Sequence, residues 1–218
     1  MILYAITDRK LAPGGDLLLQ ASGLIRGGID WLQIREKDLC DRTLFAAVKV
    51  LAPEARRFGC RLLLNGRPDL AIACGAAGVH LPSRGLSTTR VRKHFPPPFW
   101  IVRSCHSETE VLEAAGEGAD AVSLGPLFET PSKVAFGPAM GLAPFSEVCR
   151  RSPLPVVALG GITPADLATV AETGAAGVAA IRMFCTLANP VRDLAPLREA
   201  ARVETGVGDR GQGAGDKR

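Results

Sequence analysis

Paired cysteines, long apolar runs and aromatic residues are what this 218-residue chain has little of. Its six cysteines, Cys40, Cys60, Cys74, Cys105, Cys149 and Cys185, are scattered without a CxxC pair. That distribution fits reduced, mostly buried thiols better than disulfides or a zinc site. Apolar stretches are broken by glycine or charge well before the roughly 20 residues that a membrane span needs, so no membrane association is expected. The N-terminal Met1-Ile2-Leu3-Tyr4-Ala5-Ile6-Thr7-Asp8 has no basic leader and reads as a strand rather than a signal peptide, and the expected location is the cytoplasm. With a single tyrosine and no RNA-binding motif, nucleic acid is not an expected partner. The net charge of +4 comes from dispersed arginines and suits a small anion no less than a polymer. At 47% hydrophobic content the length is enough for one sizeable α/β domain.

What is present is a near-repeat. Gly28-Ile29-Asp30-Trp31-Leu32, Gly75-Ala76-Ala77-Gly78-Val79, Gly118-Ala119-Asp120-Ala121-Val122 and Gly174-Ala175-Ala176-Gly177-Val178 share one shape. Each glycine suits the C-terminal cap of a helix, and the apolar residues after it open a buried strand. The intervals of 47, 43 and 56 residues are too long for a solenoid, yet each accommodates two strand-helix units. Four such pairs predict an α/β fold, a single (β/α)8 TIM barrel over residues 1–203, with an open doubly wound sheet as the alternative. The Gly-led strands fall near 31 to 37, 78 to 82, 121 to 128 and 177 to 184. The others are expected at Ile2 to Asp8, Arg61 to Gly66, Phe99 to Cys105 and Pro155 to Gly161. Leu17, Leu18, Ala21 and Ile25 mark a helix before the second strand. The glycine- and charge-rich segment 204–218 is too polar to pack and is expected to be disordered.

In such a barrel the site lies at the C-terminal ends of the strands. Trp31-Leu32-Gln33-Ile34-Arg35-Glu36-Lys37 alternates apolar and polar residues, which sets Gln33, Arg35 and Lys37 on one strand face. On a wet antiparallel sheet that face would meet water, but a parallel sheet covered on both sides leaves a glutamine and two cations needing an anionic partner. The seventh strand ends Leu159-Gly160-Gly161-Ile162-Thr163-Pro164-Ala165-Asp166: two glycines permit close backbone approach, and Thr163, Pro164 and Asp166 cap the next helix. With Ile181 and Arg182 ending the eighth strand, this is the position of a phosphate cradle, the alternative being a plain Gly-rich turn. After the sixth strand, Thr130 and Ser132 beside Lys133 offer donors and charge to a second anionic group, or form a solvated connector. The third strand contributes Asn65 and Arg67, and the fifth Ser104, Cys105 and His106. His106 is a candidate acid or base, with a helix-capping or merely exposed histidine the equal alternative. His80 reads as structural within the fourth strand, and His94 lies on the remote side.

Taken together, Leu32-Gln33-Ile34-Arg35-Glu36-Lys37-Asp38, Asn65-Gly66-Arg67-Pro68-Asp69-Leu70-Ala71, Gly78-Val79-His80-Leu81, Ser104-Cys105-His106, Gly125-Pro126 through Lys133, and Val156 to Ile162 resemble the thiamine phosphate synthase and TenI superfamily of (β/α)8 barrels. The synthase branch implies that a pyrimidine pyrophosphate loses pyrophosphate to a carbocation-like centre captured by a thiazole phosphate. There the resemblance assigns Gln33, Arg35, Lys37, Ser104, Lys133 and Mg2+ to the pyrophosphate, Thr130 and Ser132 to the loop, and Gly160, Gly161 and Ile181 to the thiazole phosphate. Two departures stand out. Gly66 replaces the aspartate after the third-strand asparagine, and Pro82-Ser83-Arg84-Gly85 lacks the aspartate after the fourth strand. These carboxylates are the branch's metal ligands. Asn65-Gly66-Arg67, Leu81-Pro82-Ser83, Arg103-Ser104-Cys105-His106-Ser107 and Phe128-Glu129-Thr130 resemble instead the TenI tautomerase branch, whose histidine after the sixth-strand glycine is Pro126 here.

The resulting expectation is a TenI-like enzyme that binds a thiazole phosphate and tautomerises it without a cofactor. His106, Lys133 and Arg35 would serve catalysis, Gln33, Lys37, Asn65, Ser104, Thr130 and Ser132 substrate binding, and Gly160, Gly161, Ile181 and Arg182 the phosphate. Alternatives are the Mg2+-dependent synthase, which also takes a pyrimidine pyrophosphate, and a non-catalytic thiazole or thiamine phosphate binding protein. A homo-oligomer is compatible with the sequence.

Overall fold

Gly28, Gly75, Gly118 and Gly174 all take positive φ, between 75 and 89°. Each stands three residues ahead of a strand: β2 (Trp31–Ile34), β4 (Gly78–Leu81), β6 (Ala121–Leu124) and β8 (Gly177–Ala180). The helices they terminate are α1 (Leu17–Arg26), α3 (Pro68–Cys74), α5 (Glu108–Gly116) and α7 (Leu167–Glu172). The repeat seen in the sequence is therefore the turn from an outer helix into every second strand. This computed structural model describes residues 1–129 and 138–202.

The alternate strands are β1 (Ile2–Ile6), β3 (Arg61–Asn65), β5 (Trp100–Cys105) and β7 (Val156–Leu159). All eight pair in parallel and in chain order, and β8 closes on β1 through Ile2↔Gly177 to Ala5↔Ala180. Helices α2 (Asp41–Arg57), α4 (Thr88–His94), α6 (Leu142–Arg151), α8 (Arg182–Cys185) and α9 (Pro190–Ala200) complete the outer ring. The expected TIM barrel is what forms. Among the described residues no helix is long and apolar enough to cross a membrane. All six cysteines are free, and Cys40 is exposed.

Strand alternation splits the core in two. Leu32, Ile34, Leu62, Leu64, Val79, Leu81, Ile101 and Val122 face the helices. Tyr4, Ile6, Trp31, Leu63, Val102, Ala121, Val157 and Ala179 fill the interior. At the N-terminal ends of the strands Arg61 closes the barrel, its guanidinium 3.5 Å from the Trp100 ring centroid and 5.1 Å from that of Trp31. Trp31 and Trp100 meet edge to face at 5.7 Å. The opposite end is left as the mouth.

Two equivalent clamps brace the wall. Asp30 accepts from the backbone N–H of Leu3 at 2.8 Å and from Arg198 at 3.1 Å. Asp120 accepts from the N–H of Ile101 at 2.7 Å and from Arg92. Each aspartate ties the start of an even strand to the odd strand before it.

Several strands end earlier than expected, each for a local reason. β2 stops at Ile34, not residue 37, because the Arg35 N–H turns to the Thr7 hydroxyl (2.9 Å) and Glu36 turns to Arg9 (3.0 Å). β6 stops at Leu124, before Gly125-Pro126, rather than at 128. β8 stops at Ala180 rather than 184, since the chain coils into α8 at Arg182. β1 and β7 end at Ile6 and Leu159, ahead of Asp8 and Gly161. The segment 204–218, expected to be disordered, lies outside the described residues, as does residue 203.

Candidate functional site

The polar interior begins one layer below the mouth. Gln33, on β2, is 1% exposed, and its Nε2 donates to the Tyr4 hydroxyl at 2.9 Å. Tyr4 Oη lies 2.8 Å from His80 Nδ1 on β4, and His80 Nε2 lies 2.7 Å from Ser104 Oγ on β5. Ser123, on β6, reaches Ser104 Oγ at 3.5 Å. In-register pairing sends these side chains inward, because Gln33 is level with Leu63, and Ser104 with Ser123. Burial pushes the Tyr4 phenol well above its ordinary pKa, so it stays protonated. Gln33 was expected on a ligand-facing surface; its amide nitrogen is instead engaged inside the barrel, and Ser104 is the half-buried end of the chain of bonds.

The other expected residues fall on the rim. Arg35 and Asn65 are half-buried at the ends of β2 and β3, and Lys37 is exposed beyond β2. His106 follows β5: its backbone N–H donates to Glu110 at 2.7 Å, and its Nδ1 bonds the Gly125 carbonyl. A carbonyl only accepts, so Nδ1 carries the proton and the basic lone pair of the neutral ring belongs to Nε2. Ile181 is half-buried beside exposed Arg182. Thr130, Ser132 and Lys133 lie outside the described residues.

The glycine pair after β7 is shaped by its neighbour. Gly160 and Gly161 have φ of 106 and 69°. A Cβ on Gly160 would stand 2.8 Å from Pro126 Cα, and one on Gly161 would stand 2.7 Å from Phe128 Cβ and 2.8 Å from the Glu129 carbonyl. The loop after β6 runs alongside, donating from Leu127 to Leu159 O and from Phe128 to Gly160 O. Close backbone approach here is therefore made by the protein's own chain. Beyond it the Asp166 carboxylate accepts from the Thr163 N–H at 2.8 Å and hydroxyl at 2.7 Å, the expected cap.

Carboxylates near the mouth are already engaged. Arg67 forks onto Asp69 (3.0 and 2.8 Å) and also bonds Asp41, which holds the Asp69 carboxyl below its usual range. Arg9 and Lys10 do the same for Asp38, and Arg9 also grips the buried Glu36. Gly66 and the Pro82–Gly85 turn supply no carboxylate. Among the described residues no group of three or more His, Cys, Asp or Glu is arranged to hold a metal ion. Mg2+ takes hard oxygen donors in octahedral array, and this donor set does not fit it.

Tyr4, Ser123, Arg9 and Glu36 were not anticipated as site residues. Their partners come from other strands or from the loops that follow them, and only the closed barrel brings them together.

Fold and mouth define the class: a TIM barrel whose strand ends carry cations, hydroxyls and an imidazole above a hydrogen-bonded polar interior. The family model described as thiamine monophosphate synthase matches residues 3–184, and the chain belongs to that thiamine-biosynthesis enzyme family. A thiamine-phosphate synthase of Methanoculleus marisnigri is 41% identical over 179 residues, covering 82% of this chain and 85% of that one. The thiamine-phosphate synthase of Roseiflexus castenholzii is 39% identical over 180 residues, covering 83% and 79%. Among solved structures, thiamine phosphate pyrophosphorylase from Pyrococcus furiosus superposes with a TM-score of 0.83 at 28% identity, covering 92% of this chain and 95% of that one. These relatives carry the synthase name, and the tautomerase favoured from the sequence finds no support in them.

Proposed function

We propose that this protein is a cytoplasmic transferase that joins a pyrimidine pyrophosphate to a thiazole phosphate. The C–O bond to pyrophosphate breaks, both electrons leave with the pyrophosphate, and the thiazole nitrogen supplies the pair that forms the new C–N bond. Identity of about 40% over four fifths of the chain to proteins named for this reaction supports the reading. The observation that carries it in the geometry is Ser104, a hydroxyl fixed from below at the end of β5, on the rim that Arg35 and Asn65 share.

Charge developing on the departing pyrophosphate is what the site must stabilise. Arg35, Lys37 and Lys133 carry that role, with Ser104 donating; Thr130 and Ser132 add hydroxyls. Gly160, Gly161, Ile181 and Arg182 receive the thiazole phosphate. No step is assigned to Mg2+, for which the carboxylates are lacking.

The tautomerase reading is retained as the second, on one observation: His106 presents an imidazole oriented by the Gly125 carbonyl, in a mouth without the acidic pair. The test offers the purified protein both substrates with EDTA or Mg2+, and separately the carboxythiazole phosphate tautomer. Formation of thiamine phosphate supports the transferase. Isomerisation of the tautomer with no coupled product overturns it in favour of the second reading.

A further inference from the structure

The bonds beneath the mouth have a direction. Tyr4 is fully buried, and its hydroxyl bonds Gln33 Nε2 and His80 Nδ1. An amide nitrogen only donates, so among the described residues the phenolic proton has one acceptor, the lone pair on His80 Nδ1. A neutral imidazole that accepts at Nδ1 carries its proton at Nε2 and donates it to Ser104 Oγ, 2.7 Å away. Ser123 approaches the same oxygen as a donor at 3.5 Å. With His80 and Ser123 both donating to it, Ser104 Oγ keeps its own proton for an acceptor other than these two.

We infer that Gln33, Tyr4 and His80 form a one-way hydrogen-bond relay that holds Ser104 as a donor toward an anion at the mouth, with His80 the positioning residue. The raised pKa of the Tyr4 phenol is consistent with its remaining a donor throughout the neutral range. The relay also accounts for Gln33: it acts two groups removed, by presenting its amide N–H rather than its carbonyl to Tyr4. This deepens the proposed function and rests on it only for the identity of the anion as a pyrophosphoryl group.

The polarity is readable without turnover. In the full-length protein labelled with 15N-histidine, long-range 1H–15N correlation separates Nε2–H from Nδ1–H imidazoles, and His80→Gln assigns the His80 signal among the three histidines. The expected wild-type result at pH 7 is a neutral Nε2–H ring, which shifts toward a mixture of tautomers in Tyr4→Phe, where the donor to Nδ1 is gone. Titration with inorganic pyrophosphate is expected to show affinity reduced about tenfold in Ser104→Ala, the loss of one hydrogen bond to a charged group, and severalfold in Tyr4→Phe. Thermal midpoints of both variants report whether the fold is retained. An Nδ1–H ring in the wild type would mean that the relay runs the other way, with Ser104 donating inward, and would overturn the inference. So would Ser104→Ala binding pyrophosphate as well as the wild type. A wild-type protein with the Nε2–H signature that binds no pyrophosphate would sink the proposed function while upholding the relay's polarity.

Discussion

Arg92 holds Asp120 in a half-buried pair while its other N–H groups donate to the carbonyls of Gly118, Phe95 and Phe99, at 2.9, 3.1 and 2.7 Å. Asp30 and Arg198 make the equivalent pair between β1 and β2 with fewer bonds and more exposure: 35 and 36% of the side chains, against 18 and 29% for Arg92 and Asp120. Removing either aspartate strands a backbone donor, but removing Asp120 also takes the counter-charge from the more deeply buried guanidinium. Asp120→Ala should therefore cost about 2–3 kcal/mol, and Asp30→Ala about 1 kcal/mol. Urea unfolding of the two variants side by side checks the order, and equal costs would refute it.

Arg61 supplies the second expectation. Stacked on Trp100 and flanked by Trp31, it gains cation–π attraction in a site whose burial lowers its pKa. Arg61→Ala should destabilise the barrel by about 1–2 kcal/mol, and Arg61→Lys by less. Pyrophosphate binding at the far end should survive either change. Denaturation midpoints and a binding titration measure the two effects separately.

Not all left-handed glycines are equal. At Gly28 a Cβ meets nothing within 4 Å, so Gly28→Ala should cost only the backbone strain, about 1 kcal/mol. At Gly161 the same change adds collisions with Phe128 and Glu129 and should cost at least about 2 kcal/mol. Gly161→Ala should also displace the loop after β6 and weaken phosphate binding. Stability curves for the pair, with inorganic phosphate as the ligand, decide the matter.

Thiol reactivity should divide by depth. Burial pushes Cys60 and Cys105 up to about 12 and Cys149 and Cys185 up to about 11, and it raises Cys74 as well. Exposed Cys40 is lowered by its hydrogen bond to Thr43, 3.3 Å away. Thiolate is the reactive form, so at pH 7–8 one thiol should react rapidly with a disulfide reagent, and Cys40→Ser should remove that phase. A fast phase that persists in Cys40→Ser would contradict this assignment.

The barrel was legible because its punctuation is local. A glycine that ends a helix and an apolar run that starts three residues later need no knowledge of the rest of the chain. The mouth was legible in part for the same reason: Arg35, Asn65, Ser104 and His106 lie within a residue of a strand's end, and strand ends are where this fold puts its chemistry. Overrun strands mark the limit. Alternation through Lys37 looked like strand, but Thr7 and Arg9 from the neighbouring β1 loop capture Arg35 and Glu36 and end it at Ile34. Tyr4 and His80 are 76 residues apart, and nothing in either segment announces the bond between them. The choice between synthase and tautomerase turned on substitutions at Gly66, Gly85 and Pro126, whereas the relatives' names favour the other branch.

The Arg61 plug decides from which end the barrel can be approached. With its N-terminal end sealed by a guanidinium and two indoles, and its interior filled by side chains, the barrel has a single door.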